Sequence, residues 1–258
     1  MPDFLDKLID DARKRVRDGY YDVKYHLSHQ PVSLKRAIKS AERNAIIAEI
    51  KPTSPSRGRL RLEVDPIKAA KRLVNGGAIA LSILTEPNNF GGSLENLRKV
   101  RENVALPLLM KDIIIHEQQI EAARRTGADC ILLIEPIFSK HPISSLARMI
   151  RYAHDSNLEV LLEVHRDDEF DRALNSEADL VGLNNRNLST LETNLERTIH
   201  LMAKADEHTD KVMISESGFE SAEDIRRVKP ARVDGFLIGS SIMLADDWER
   251  KVREFVLA

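Results

Sequence analysis

Eight short apolar runs, each followed by a stretch with helical spacing, constrain this chain more than any other feature. The runs begin near Ala45, Ile79, Pro107, Asp129, Leu158, Asp179, Lys211 and Asp234. The stretches that follow are Pro66 to Val74, Leu94 to Val100, His116 to Arg125, Pro142 to Ala153, Asp167 to Leu174, Asn194 to Ala203, Ala222 to Val228 and Trp248 to Val256. Start-to-start spacings lie between 21 and 34 residues. The runs are almost wholly apolar rather than alternating, so both faces of the sheet they build must be covered. Small-residue turns such as NGGAIALSIL, TGADCILLI and SEADLVGL hand each helix over to the next strand.

Eight such units predict an α/β fold, a single (β/α)8 TIM barrel. An open doubly wound sheet is the alternative, but nothing matches its opening glycine-rich fingerprint, and GGSLEN follows a loop. Residues 1–42 precede the first run and read as an N-terminal helical extension of a single domain spanning 1–258. Phe4, Leu5, Leu8, Ile9 and Ala12 share one helical face, which suits a cap on the barrel or an extension toward its mouth.

Composition narrows the partners. Lys plus Arg (39) against Asp plus Glu (41) leaves a formal charge of −2, with no run of one sign for a nucleic acid or an anionic membrane. No stretch approaches the ~18 apolar residues of a membrane span. MPDFLDKLIDDARKR is too charged for a secretory signal. The single cysteine, Cys130, lies in the apolar run DCILLI and reads as a core residue. A cytoplasmic protein with small-molecule or protein partners is the expectation.

Charged residues stand where several of the runs stop. Glu49 and Lys51 end AIIAEIK, Lys111 ends LPLLMK, and Glu163 ends LEVLLE. Residues two apart on a strand share a face, so these side chains should project toward the axis at the mouth, where parallel α/β folds place their chemistry. Any one of them alone reads more simply as a solvated strand end. Two lysines and two carboxylates converging in one cavity can instead tune one another for acid and base work.

Asn184 in VGLNNRN adds a neutral donor and acceptor, and Arg186 a cation two residues on; an ordinary Asn-rich turn accounts for them equally well. SESG (Ser215 to Gly218) and IGSS (Ile238 to Ser241) close the last two runs with small polar residues. That is where barrels often hold a phosphate. The first loop, PTSPSRGRLRLEV, is long and carries three arginines. It reads either as a surface loop or as a lid over an anionic substrate.

The chain resembles the indole-3-glycerol phosphate synthase family in AEIKPTSPS, LSILTEPNNFGGS, LLMKDIII, GADCILLI, VGLNNRNL, SESGF and FLIGSSIM, in order. The resemblance implies ring closure, decarboxylation and dehydration of 1-(2-carboxyphenylamino)-1-deoxyribulose 5-phosphate, in tryptophan biosynthesis, without cofactor or metal. It implies Lys111 as the acid that meets the developing oxyanion, Glu163 as base, and Lys51 as acid in dehydration or as holder of the substrate carboxylate. Glu49 would orient the lysines, and Asn184, Arg186, Glu216 and Ser217 would position substrate. Ser54, Gly218, Gly239 and Ser240 match the phosphate cradle, and Phe90 an aromatic against the anthranilate ring. Association with other tryptophan-pathway enzymes is a further expectation.

Three positions depart from the family. Ile113 replaces the usual aromatic after Lys-Asp, Ser215 stands where alanine is commoner, and Glu135 ends ILLIE where an apolar residue is expected. Glu135 either reaches a rim arginine or shifts the acid–base balance. A lysine Schiff-base aldolase with Lys111 as nucleophile, and a non-catalytic interaction module, are the competing functions.

Overall fold

The computed structural model describes residues 4–54, 58–59, 64–141, 144–187, 190–205 and 210–258, without the side chains of Ser54 and Arg59. Eight parallel strands close into a barrel: β1 (Ala45–Ile50), β2 (Ala80–Leu84), β3 (Leu108–Lys111), β4 (Cys130–Ile134), β5 (Glu159–Val164), β6 (Leu180–Asn184), β7 (Val212–Glu216) and β8 (Gly235–Ile238). Closure comes from β1 pairing with β8 on one side, Ala45 opposite Gly235, and with β2 on the other, Glu49 opposite Ser82. The (β/α)8 expectation holds, and the open sheet is excluded because no strand of the barrel has a free edge.

Strand alternation divides the core in two. Residues of one parity, including Ile47, Leu109, Leu132, Leu161, Ile214 and Leu237, fill the barrel interior. Those of the other parity, including Ile46, Leu81, Met110, Leu133, Val181 and Phe236, pack outward against the helices. Cys130 is one of the interior residues, fully buried, and burial pushes its thiol well above its ordinary pKa, so it behaves as core.

The helices α3 (Pro66–Asn75), α4 (Leu94–Arg101), α5 (Glu117–Thr126), α7 (Leu146–Asp155), α8 (Asp167–Leu174), α9 (Glu196–Met202), α10 (Ala222–Val228) and α12 (Trp248–Val256) form the outer layer. Their ends follow local chemistry. Asp65 caps α3 through the N–H groups of Ile67 and Lys68, with Pro66 at the first helical position. Gly127 takes a left-handed φ of 89° to end α5 and turn into β4.

Two further short helices, α6 (Glu135–Lys140) and α11 (Ser240–Leu244), were not legible as helices and follow β4 and β8 directly. The predicted start of the fourth helix at Pro142 lies outside the described residues, as do Pro55, Ser56, Arg57 and residues 60–63 of the lid expectation. What is described of that loop is a small antiparallel hairpin, Thr53–Ser54 against Gly58–Arg59.

The N-terminal segment serves both ends of the barrel. Helix α1 (Phe4–Arg17) buries Leu5, Leu8, Ile9 and Ala12, the face read from the sequence, over the mouth. The chain then passes α5, where the Leu27 N–H donates to Arg125 O at 2.9 Å. Helix α2 (Leu34–Lys39) closes the floor, where the Lys35 N–H donates to Glu159 at the start of β5.

Candidate active site

At the mouth the strand ends assemble the charges that the sequence placed one by one. Glu49 Oε1 lies 2.7 Å from Lys51 Nζ and Glu49 Oε2 lies 3.4 Å from Lys111 Nζ, while Lys111 Nζ donates to Glu216 Oε2 at 2.9 Å. Burial opposes charge on Glu49, yet Lys51 and Lys111 together pull its carboxyl down to about 2. Burial likewise disfavours a charged Lys111, but Glu216, Glu49 and Glu163 outweigh it and raise its pKa, so the amine stays protonated at neutral pH. For Glu216 the balance falls the other way: burial, against the pull of Lys111, pushes its carboxyl up to about 7.

Glu163 lies at the mouth end of β5 and accepts from Asn184 Nδ2 at 2.9 Å. The Asn184 amide is held in turn, because its Oδ1 accepts the Arg186 N–H at 2.9 Å. Neighbouring Asn185 ties the same turn to β7 by donating to Ser215 Oγ at 3.1 Å and to Ser217 O at 3.0 Å. Ser215, the departure from the family's alanine, is therefore a satisfied buried hydroxyl that also meets Thr198 Oγ1 at 2.6 Å.

Two cavities open on this cluster. One has apolar walls from Phe4, Leu84, Phe90, Ile113 and Ile134 together with Glu163 and Asn184. The other is lined by Gly218, Gly239, Ser240 and Ser241. Glu49, Lys51, Lys111, Arg186 and Ser217 border both, so the charged strip joins an apolar chamber to a polar one. Ser217 and Gly218 both take left-handed backbone, φ 67° and 92°, a conformation that costs a serine energy and recurs at functional turns.

The structure brings together Glu49, Lys51, Lys111, Glu163, Asn184, Phe90, Arg186, Ser217, Gly218, Gly239 and Ser240 around this cleft. Glu216 is fully buried and stands behind Lys111 rather than on the cavity surface. Ser54 belongs to the hairpin beside the mouth, and its side chain lies outside the described residues. Glu135 turns away to Arg172, whose Nε donates at 2.6 Å, and borders neither cavity, which selects the rim-arginine alternative.

Sequence reasoning missed Glu86 and Asp112, which border the apolar chamber, and Gly182 beneath the charges. Glu86 follows the second run and Asp112 the third, so the rule that found Glu49 and Lys111, a charge at a strand end, would have found both. Among the described residues no group of three or more His, Cys, Asp or Glu side chains is placed to hold a metal ion.

A family model described as "Indole-3-glycerol phosphate synthase" matches residues 5–255. The chain is similar to proteins of that description from Polaromonas naphthalenivorans (37% identity over 96% of each chain), Aquifex aeolicus (42%, 82% of this chain and 80% of the relative) and Haloarcula marismortui (39%, 98% and 92%). Among solved structures, a thiamine phosphate pyrophosphorylase from Pyrococcus furiosus shares the fold, with a TM-score of 0.61 at 16% identity over 86% of this chain and 96% of that one.

Proposed function

Because this chain belongs to the indole-3-glycerol phosphate synthase family, we propose that Lys111, Glu163, Lys51, Glu49 and Asn184 carry out the family's chemistry in the cleft at the barrel mouth. The activity is that of a carboxy-lyase of tryptophan biosynthesis: 1-(2-carboxyphenylamino)-1-deoxyribulose 5-phosphate is closed to indole-3-glycerol phosphate with loss of carbon dioxide and water. One observation carries the assignment of residues. All five side chains border an apolar chamber suited to a benzene ring, and three of them, Glu49, Lys51 and Lys111, also border a polar chamber suited to a phosphate.

The substrate has those two ends, with the reacting carbons between them. Its ring lies against Phe90 and Ile113, and its phosphate meets the backbone of Gly218, Gly239 and Ser240 with Arg186 near by. The ring carbon that bears the carboxylate then faces the sugar ketone beside the lysines. As that carbon attacks, negative charge grows on the ketone oxygen, and protonated Lys111 supplies the proton. Glu216, behind Lys111, holds the amine in place. Loss of carbon dioxide restores the aromatic ring.

Dehydration completes the indole. Glu163, oriented by Asn184, removes a proton, and Lys51 protonates the departing hydroxide. Lys51 also stands where it can hold the substrate carboxylate before it leaves. Glu49 stays ionised because both lysines hold its pKa down, so it can stabilise positive charge that builds on the substrate amine. Ser217 positions the sugar, and Ser54 completes the phosphate cradle.

A Schiff-base aldolase would need Lys111 as a neutral amine, whereas its carboxylate neighbours favour the ammonium. We extend the proposal to organisation: residues 1–258 act as one barrel domain with 1–42 as its N-terminal extension, in the cytoplasm, with no nucleic-acid or membrane partner. The near-balanced charge gives no feature for a nucleic acid to bind, and among the described residues no helix is long and apolar enough to cross a membrane. Association with other tryptophan-pathway enzymes rests on the family resemblance alone.

The test is a fluorescence assay for indole formation from the carboxyphenylamino-deoxyribulose phosphate, with wild type beside Lys111→Ala. Signal in wild type that is lost in the variant is expected. Full activity in Lys111→Ala would remove Lys111 from its role.

A further inference from the structure

A second buried charge cluster lies outside the catalytic strip. Arg15, on the last turn of α1, is buried at the mouth, and its Nη1 donates to Glu86 Oε1 at 2.6 Å. Its Nη2 stands 3.6 Å from Asp112 Oδ1, and its Nε donates to Tyr21 Oη at 3.2 Å. One guanidinium therefore spans the loops after β2 and β3.

Each carboxylate it holds controls something at the site. Glu86 accepts the backbone N–H groups of Asn88 at 3.1 Å, Asn89 at 2.6 Å and Phe90 at 2.9 Å, so it shapes the loop that presents Phe90 to the apolar chamber. Close packing leaves that loop little freedom, since a Cβ on Gly92 would lie 2.2 Å from Leu84 O. Asp112 follows Lys111 directly and is fixed by Thr85 Oγ1 at 2.7 Å and Tyr21 Oη at 3.1 Å. A second tie from α1 runs to the same loop, where Asn89 Nδ2 donates to Asp11 Oδ2 at 3.1 Å.

We propose that Arg15 is a positioning residue for the ring-binding half of the site, acting through Glu86 on Phe90 and through Asp112 on the strand end that carries Lys111. The inference rests on the proposed assignment of that chamber to the substrate ring. It adds Arg15 to the α1 residues that serve the chamber, whose wall already includes Phe4 and Leu8 on the buried face of that helix. A buried ion cluster of this kind contributes more to fixing geometry than to stability, because desolvation offsets much of the attraction.

Steady-state kinetics on Arg15→Met, Arg15→Lys and the exposed control Arg17→Ala, each with a thermal melt, test it. Arg15→Met should raise KM at least ~10-fold by freeing Phe90, and should lower kcat through Lys111, since a displacement near 1 Å of a reacting group can cost ~100-fold in rate. Arg15→Lys should recover part of the loss, because it keeps the charge without the planar fork that reaches both carboxylates. Arg17→Ala should match wild type. A purely structural role would lower the melting temperature and leave KM alone, so a folded Arg15→Met with KM within about twofold of wild type overturns the proposal. If Arg15→Met does not fold, Arg15→Lys decides: a raised KM supports the role and a wild-type KM rejects it. Inactive wild type would overturn the parent assignment and this inference together, whereas active wild type with unaltered variants overturns this inference alone.

Discussion

A Cβ built on Gly182 would lie 2.0 Å from Glu216 Oε1. The missing side chain on β6 is what lets a carboxylate from β7 enter the barrel and reach Lys111 on β3. Gly239 does the same for Glu49, whose Oε1 would be 2.5 Å from its Cβ. Neither glycine has a positive φ, so space rather than backbone freedom requires them.

Gly182→Ala should therefore displace Glu216 and loosen Lys111. We expect kcat to fall by ~10-fold or more and stability to drop by ~1–3 kcal/mol from overpacking. Indole formation and a denaturant melt on the same preparation check both. Unchanged kcat would mean that Glu216 does not hold Lys111.

Gly239→Arg should raise KM by obstructing the phosphate chamber, and it should lower kcat as well, because its side chain must also push Glu49. Competitive inhibition by inorganic phosphate separates the two effects. Weaker inhibition follows from the phosphate chamber alone, and a change confined to kcat would place the phosphate elsewhere.

Lys111→Ala and Glu163→Gln remove the proposed acid and base. Each should lower kcat by ~100- to 10,000-fold with a smaller effect on KM. A loss confined to KM in either variant would contradict its role.

The two buried carboxylates give stability opposite pH dependences. The Glu216 pKa rises from an ordinary 4.5 to about 7, so its protonated form is favoured by folding and its contribution is full below 4.5 and lost as pH rises through about 7. The Glu49 pKa falls from 4.5 to about 2, so its contribution is present above 4.5 and lost as pH falls through about 2. Denaturant midpoints measured across this range should show a flatter decline between 4.5 and about 7 in Glu216→Gln than in wild type. An identical slope would show that Glu216 does not titrate there.

Glu135→Gln should leave kcat and KM unchanged and lower the melting temperature, since Glu135 pairs with Arg172 and Ser139 and not with the site. Altered acid–base behaviour in the kcat profile would return Glu135 to the chemistry.

Much of the molecule was legible from the order of residues. The apolar runs and helical stretches marked the eight units, since covering both faces of a parallel strand leaves a continuous apolar signature. Strand alternation put Glu49, Lys51, Lys111 and Glu163 on one side, because a period of two is fixed by the backbone itself. The short helices α6 and α11 escaped because five or six residues are too few to show a helical period.

What only the tertiary structure decided is which of these groups face one another and with what partner. Lys111, Glu49 and Glu216 are far apart in sequence and meet through closure of the barrel, and that meeting sets their protonation, because burial and Coulomb attraction depend on distance and not on order. The same holds for Arg15, an ordinary basic residue at the end of an amphipathic helix until the fold buries it between Glu86 and Asp112. Sequence fixes periodicity and hence which side of each element a residue occupies; packing in three dimensions fixes the neighbours, and the neighbours fix the chemistry.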